Sequence, residues 1–351
     1  FAEGIIFILL SLTNVREAIF NSIPMTLKHA VSVGIGLFIA FIGLQNSGLC
    51  VDSATLVGII SFPENFHTAG ICALLTLIGL FFTAVFYTRK MKGAILYGIL
   101  LTWILGMLCQ VTGLYVPTPD AGFYSLFPSW GMTDFSKLGL TFGQCFNVDF
   151  SAVGIVNFIV VIFSFLFVDI FDTLGTLIGV ATKAKMLDKD GKLPGIKPAL
   201  LADSIATSAG AILGTSTTTT FVESASGVAV GGRTGLTALV TGILFLVSTL
   251  FAPIFTAIPS FATAPALIMV GFLMVGTVTE INFDLDNLTE SIPAYLAIIA
   301  MPLFYSISEG IAIGIISWTI INVVTGKAKE KKISPLMYVL TVLFILKYVL
   351  L

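Results

Sequence analysis

Apolar side chains run almost without interruption through residues 31–44, 71–87, 94–109, 153–168, 236–251, 265–278 and 311–324. A helix that is hydrophobic all round belongs inside a large core or in a bilayer. So many in one chain can only be membrane helices. Several runs fall short of the ~20 residues a full span needs, so tilt, polar ends or broken helices must supply the difference. Composition agrees: only 10% of residues are charged, against about 25% in soluble domains. The net charge of −2 says nothing about nucleic acid, and with no basic patch interleaved with exposed aromatics no such partner is expected. The thirty phenylalanines read as lipid-facing and packing side chains.

Eleven membrane segments are expected, at about 1–20, 29–48, 69–88, 94–113, 153–180, 196–213, 215–230, 235–253, 264–280, 292–306 and 309–325. Residues 336–351 are either a twelfth segment or a helix lying on the interface. Basic residues gather after the third segment (Arg89, Lys90, Lys92), the fifth (Lys183, Lys185, Lys189, Lys192, Lys197) and the eleventh (Lys327, Lys329, Lys331, Lys332). All follow odd-numbered segments, which places them together on the cytoplasmic side of a multi-pass protein of the cell membrane.

An internal repeat follows. Gly4-Ile5-Ile6-Phe7 with Ile23-Pro24 resembles Gly242-Ile243-Leu244-Phe245 with Ile258-Pro259, and Phe86-Tyr87 with Gly93 and Gly98 resembles Phe304-Tyr305 with Gly310 and Gly314. Seven segments separate the copies. That number is odd, so the copies cross the membrane in opposite directions, as in secondary transporters. The segments at 153–180, 196–213 and 215–230 have no counterpart before Phe1. An N-terminal truncation of three segments is expected, roughly 80–110 residues at ~20 or more per span plus loops.

Residues 214–227 break the apolar pattern. Thr217, Thr218, Thr219 and Thr220 disfavour a helix and favour a strand, and Ser224–Gly227 suits a short, closely packed helix. Extended backbone at membrane depth is tolerable only where protein covers it or it lines a wet cavity. Glu223 stands beside it, and an acid at a broken helix marks a midplane binding site. The alternative is a structural pairing of Glu223 with Arg233 or Lys197. Two further acids, Asp169 and Asp172, lie three apart on one helix face. Asp169 could equally cap or pair at a helix end. Asp203 suits its Ser/Thr neighbours, and Glu309 suits a helix N-terminus. Read as a Mg²⁺ site, Asp169 and Asp172 would suggest a membrane prenyltransferase, but no second acidic cluster faces them. The four cysteines lack a C-x-x-C pair, and neither histidine has a partner at i+4, so no metal is expected.

The strings FDTLGTL (171–177), ALLADSIATSAGAILGTSTTTTFVESASGVAVGGRTGLTA (199–238) and ISEGIAIGI (307–315) carry a family resemblance. Together they resemble the AzgA-like hypoxanthine/guanine/adenine permeases, a branch of the nucleobase–cation symporters related to uracil and xanthine permeases. The resemblance implies an all-α fold of fourteen helices in two inverted seven-helix repeats, with about eleven helices in this chain. A short strand would interrupt the third and tenth helices, and residues 215–223 match the tenth. Residues 1–20 would end the first-repeat core domain, and 21–117 would form the first half of the gate. An external loop at 118–150 would precede the core domain at 151–253, the second half of the gate at 254–326, and a basic linker and terminal apolar helix at 327–351.

By position in the motif, Asp172 resembles the family's acid on the eighth helix and Glu223 the acid on the tenth. Glu223 is expected to bind the purine directly, and Asp172 to weigh more in proton coupling, with Asp169 a third proton candidate. A carboxylate accepts hydrogen bonds from purine N–H and amine donors. Backbone around Thr219 and Thr220 would serve the remaining edge, and Phe171 or Phe221 would stack on the ring. The implied function is import of guanine or hypoxanthine by proton symport with alternating access. An adenine-preferring carrier and an anion carrier of the same fold are the alternatives. The proton gradient would be the driving force, with no cofactor. The partners would be a purine nucleobase and the lipid bilayer, and a homodimer is left open.

Overall fold

The computed structural model describes residues 1–54, 56–147 and 154–350. Helices take most of the apolar runs: α1 (Ala2–Leu12), α2 (Val15–Ser22), α3 (Met25–Asn46), α4 (Phe62–Asn65), α5 (Ile71–Thr88), α6 (Ala94–Val111), α7 (Ile155–Lys183) and α8 (Ile196–Leu213). They continue as α9 (Ser224–Ala229), α10 (Gly235–Leu250), α11 (Ala252–Phe255), α12 (Ser260–Val275), α13 (Leu288–Leu303), α14 (Ile307–Val324) and α15 (Pro335–Leu350). Among the described residues, seven helical stretches are long and apolar enough to cross a membrane, and four apolar helices of 10–17 residues accompany them. The chain is a multi-pass helical membrane protein.

Three local features depart from the expected segments. Residues 1–20 are two helices, because Asn14 takes a left-handed backbone (φ 61°) after α1. The Thr13 hydroxyl caps that end by donating to Leu9 O at 2.9 Å, and asparagine tolerates the left-handed region better than other chiral residues. A short antiparallel hairpin, β1 (Cys50–Ser53) and β2 (Leu56–Ile59), stands in the linker after α3, with Cys50 opposite Ile59. The start of the segment expected at 153–180 falls partly outside the described residues, and its helix runs on to Lys183.

Contacts divide the chain into two compact units. The first comprises Phe1–Ile35, Phe135–Ala225 and Met274–Leu351, and the second Gly36–Asp134 and Ser226–Leu273. Phe7, Phe20, Leu27, Ile35, Leu174 and Leu200 are fully buried in the first. Ile71, Leu75, Trp103, Tyr115, Leu126 and Phe261 form a core cluster in the second. Core and gate domains are defined by relative motion rather than by compactness, so the division at 151–253 and 254–326 stays a proposal.

Each unit contains a helical hairpin, α5–α6 in the second and α13–α14 in the first. These hairpins carry the repeated Phe-Tyr and glycine landmarks. A Cβ added at Gly98 would lie 3.0 Å from Thr83 Cβ, and one at Gly314 would lie 3.0 Å from Ala297 Cβ. Small residues there let two backbones approach closely. Gly98→Val should therefore destabilise the protein by about 1–3 kcal/mol through overpacking. Gly242, on α10, has nothing within 4 Å of its added Cβ, so Gly242→Val should stay within about 0.5 kcal/mol. Thermal unfolding in detergent compares the two, and equal losses would contradict close packing at Gly98.

Candidate functional site

The polar break begins where α8 ends. Gly214 supplies the left-handed cap (φ 82°), a conformation that costs glycine nothing. Residues 215–221 then form neither a helix nor a ladder. Threonines favour extended backbone, but a strand requires a neighbour, and among the described residues none pairs with this segment. It is tied instead to α8. Thr207 Oγ1 donates to Thr218 O at 3.0 Å, Thr215 N–H donates to Gly210 O at 3.0 Å, and Thr220 Oγ1 donates to Asp203 Oδ1 at 3.5 Å. Glu223 and Phe221 are exposed at the entry to α9, while Thr219 and Thr220 are half-buried.

Asp203 is where three elements meet. Its carboxylate accepts from Thr220, from Thr173 Oγ1 on α7 at 3.3 Å, and from Arg16 Nη2 on α2 at 3.0 Å. Arg16 is fully buried. Its Nη1 also donates to Ser204 Oγ at 2.9 Å and to Leu200 O at 3.2 Å, and its guanidinium lies 4.4 Å from the centroid of the Phe7 ring. A charge pair at membrane depth is tolerable only when its hydrogen bonds are met. Sequence reasoning placed Asp203 among Ser/Thr neighbours and missed Arg16. The signal was available, since an arginine inside an apolar segment calls for a partner.

The acids on α7 differ in their surroundings. Asp172 lies by Ser308, in the first turn of α14, where a helix N-terminus favours negative charge. Its Oδ1 is buried without a hydrogen-bond partner, and so is Oδ2 of Asp169. Phe171 is buried, with ring centroids 5.0 Å from Phe167 and 4.6 Å from Phe344 on α15. The Ser306 hydroxyl caps α14 by accepting from Glu309 N–H. The Glu309 carboxylate pairs with Lys347 and accepts from the Tyr348 hydroxyl. A buried acceptor left unmatched costs roughly 1–3 kcal/mol. Asp169 Oδ2 and Asp172 Oδ1 are thus enclosed acceptors that no donor among the described residues meets.

Asp203 therefore brings α7 and the Thr-rich segment into one hydrogen-bonded set, and Glu223 follows Thr220 by three residues. A separate cavity of about 490 Å³ in the second unit is lined by Gln45, Asn46, Tyr115, Tyr124, Ser260 and Phe261 among others, and no expected site residue faces it.

Residues 1–313 match the Permease family designated Xan_ur_permease. The chain is 46% identical over 350 residues to the guanine/hypoxanthine permease PbuG of Bacillus subtilis (strain 168), covering 99% of this chain and 74% of that protein. It is 43% identical over 353 residues to the guanine/hypoxanthine permease PbuO of the same organism, covering 99% and 76%. It is 38% identical over 345 residues to the adenine permease AdeQ of Escherichia coli (strain K12), covering 97% and 71%. These relatives are permeases, which sets aside the prenyltransferase reading of Asp169 and Asp172.

Proposed function

The chain belongs to the permease family, and from that premise we propose that it imports purine nucleobases across the cytoplasmic membrane by proton symport. Guanine and hypoxanthine are preferred to adenine in this reading, because the guanine/hypoxanthine relatives are the more similar ones. The observation that carries it is the buried, unpartnered Oδ1 of Asp172, next in sequence to Thr173, which shares Asp203 with Thr220 of the Thr-rich break that ends in Glu223. A purine offers ring N–H and exocyclic amine donors, and two carboxylates offer only acceptors. Glu223 and Asp172 hold the base, backbone around Thr219 and Thr220 meets its remaining edge, and Phe171 or Phe221 contributes a ring. An anion would be repelled by the same carboxylates.

Transport follows if a core domain at 151–253 moves against a gate domain, exposing the site to each side in turn. A protonatable carboxylate can drive accumulation when its charge state shifts the balance between the two forms. The lysines and arginines after the odd-numbered segments put those loops in the cytoplasm, and assembly as a homodimer is part of the same proposal.

The test is uptake of radiolabelled guanine into cells, with hypoxanthine, adenine, xanthine and uracil as competitors. Guanine and hypoxanthine should compete best, and a protonophore should reduce accumulation. Adenine as the strongest competitor would move the reading to an adenine carrier. Undiminished accumulation in de-energised vesicles would remove proton coupling.

A further inference from the structure

We propose that the cavity in the second unit is a receiving site for neutral nucleobases on the external face, separate from the carboxylate site. The proposal takes its ligand class from the purine reading above and its place from the cavity itself. The lining comes from 45–48 at the end of α3, 69 and 72 at the start of α5, 115 and 122–126 after α6, and 256–261 leading into α12. These positions fall between the second and third, fourth and fifth, and eighth and ninth expected segments, or at their adjoining ends. The lysine and arginine clusters mark the opposite side as cytoplasmic, so the whole lining is external. A space of about 490 Å³ is within the range of small-molecule sites, ~300–1,000 Å³.

The walls are held in place from behind. Trp103 Nε1 donates to Leu126 O at 2.9 Å, the Tyr115 hydroxyl donates to Tyr124 O at 2.8 Å, and Thr76 Oγ1 donates to Phe261 O at 2.9 Å. Gln110 holds the same loop twice. Its Oε1 accepts from Leu126 N–H at 2.8 Å, and its Nε2 donates to Ser125 Oγ at 3.0 Å. A site fixed before binding loses less freedom when a ligand arrives. By contrast, the side chains of Gln45, Asn46 and Ser260 line the same space and make no hydrogen bond with another described residue.

Those free groups select the ligand. A carboxamide presents a donor and an acceptor side by side. Its complement is a ring edge on which N–H and C=O are neighbours, and hypoxanthine and guanine both have one. Tyr115, Tyr124 and Phe261 supply aromatic surface, which suits a planar ring in offset or edge contact. Among the described residues, no acid, lysine, arginine or histidine lines the cavity. A charged ligand would leave water for a place with no counter-charge, a cost that a neutral base avoids.

The experiment uses the protein reconstituted in liposomes, with hypoxanthine as probe. Ser260→Cys, in a chain whose four native cysteines are replaced by alanine, is labelled from outside with a membrane-impermeant maleimide. Labelling should slow about tenfold when hypoxanthine stands at ten times its dissociation constant, the factor 1 + [L]/Kd. Glu64→Cys, exposed outside this lining, should label at the same rate with or without hypoxanthine. Adding Glu223→Gln to Ser260→Cys should leave the protection in place. Adding Gln45→Leu and Asn46→Leu instead should weaken it about tenfold, the loss of one to two neutral hydrogen bonds. Orotate, a heterocycle that carries a carboxylate, should not protect. In the otherwise native chain, Gln45→Leu with Asn46→Leu should raise the half-saturating external hypoxanthine concentration for uptake and leave the final accumulation ratio unchanged. Absent protection at position 260, protection lost in Glu223→Gln, equal protection by orotate, or an unchanged half-saturating concentration each overturns the receiving site and leaves purine transport standing. Uptake for which no purine competes overturns the purine reading itself.

Discussion

Arg16→Met should remove most of the folded protein, and adding Asp203→Asn to the same chain should bring it back. Arg16 and the Asp203 side chain are 0% and 4% exposed and meet at 3.0 Å. Removing one partner of a buried ion pair strands the other charge, which costs about 3–5 kcal/mol. That is a large part of the roughly 5–15 kcal/mol that holds a typical domain together. The double variant strands nothing. The asparagine side-chain carbonyl would still accept from Thr173 and Thr220, the Ser204 hydroxyl keeps its bond to Leu200 O at 2.7 Å, and methionine fills the space over Phe7. Replacing a buried pair by apolar groups of similar volume is often close to neutral. Detergent-soluble monodisperse yield and thermal unfolding of the wild type, both single variants and the double variant form a complete cycle. Independent, additive losses from the two substitutions would show that the pair is not what supports this part of the fold.

The second large effect is expected at the substrate. Glu223→Gln should weaken guanine binding roughly ten- to a hundredfold, the loss of one charge-assisted hydrogen bond worth about 1.5–3 kcal/mol. Glutamine keeps the shape of the side chain but replaces one acceptor oxygen with a donor, which faces a donor on the purine. The exposure of Glu223 at the end of the Thr-rich break makes a folding explanation weak, since exposed substitutions rarely move stability by more than ~0.5 kcal/mol. Equilibrium binding by isothermal titration, alongside unfolding of the same variant, separates the two. Normal guanine affinity in Glu223→Gln would withdraw it from the site.

Much of the helical architecture was legible because apolar runs at membrane depth leave the backbone few options. The break at 214–223 was legible for the same reason, as polar β-branched residues cannot extend such a helix. Other features were hidden. The turn at Thr13-Asn14 lies in a segment whose overall hydropathy predicts one continuous helix, and only the left-handed tolerance of asparagine distinguishes it. The β1–β2 hairpin consists of strands of four residues each, too short for an alternating pattern to stand out. The Asp169–Asp172 spacing was visible, but the difference between the two acids was not. The residues near each acid, Ser308 and Lys347 for Asp172 and Arg16 for Asp169, come from segments distant in sequence. The role of Asp203 was half visible, through its Ser/Thr neighbours, while its cation came from a helix far back along the chain.

That distance has a consequence for how the protein is made. Arg16 and Asp203 are 187 residues apart, so at a synthesis rate of roughly 5–20 residues per second Arg16 emerges roughly 10–40 s before its partner. During that interval α2 carries an unmatched cation and cannot settle in hydrocarbon without penalty. It has to wait at the water interface, or beside the insertion machinery, until α8 is made. The stretch around Arg16 is therefore threaded early and seated late.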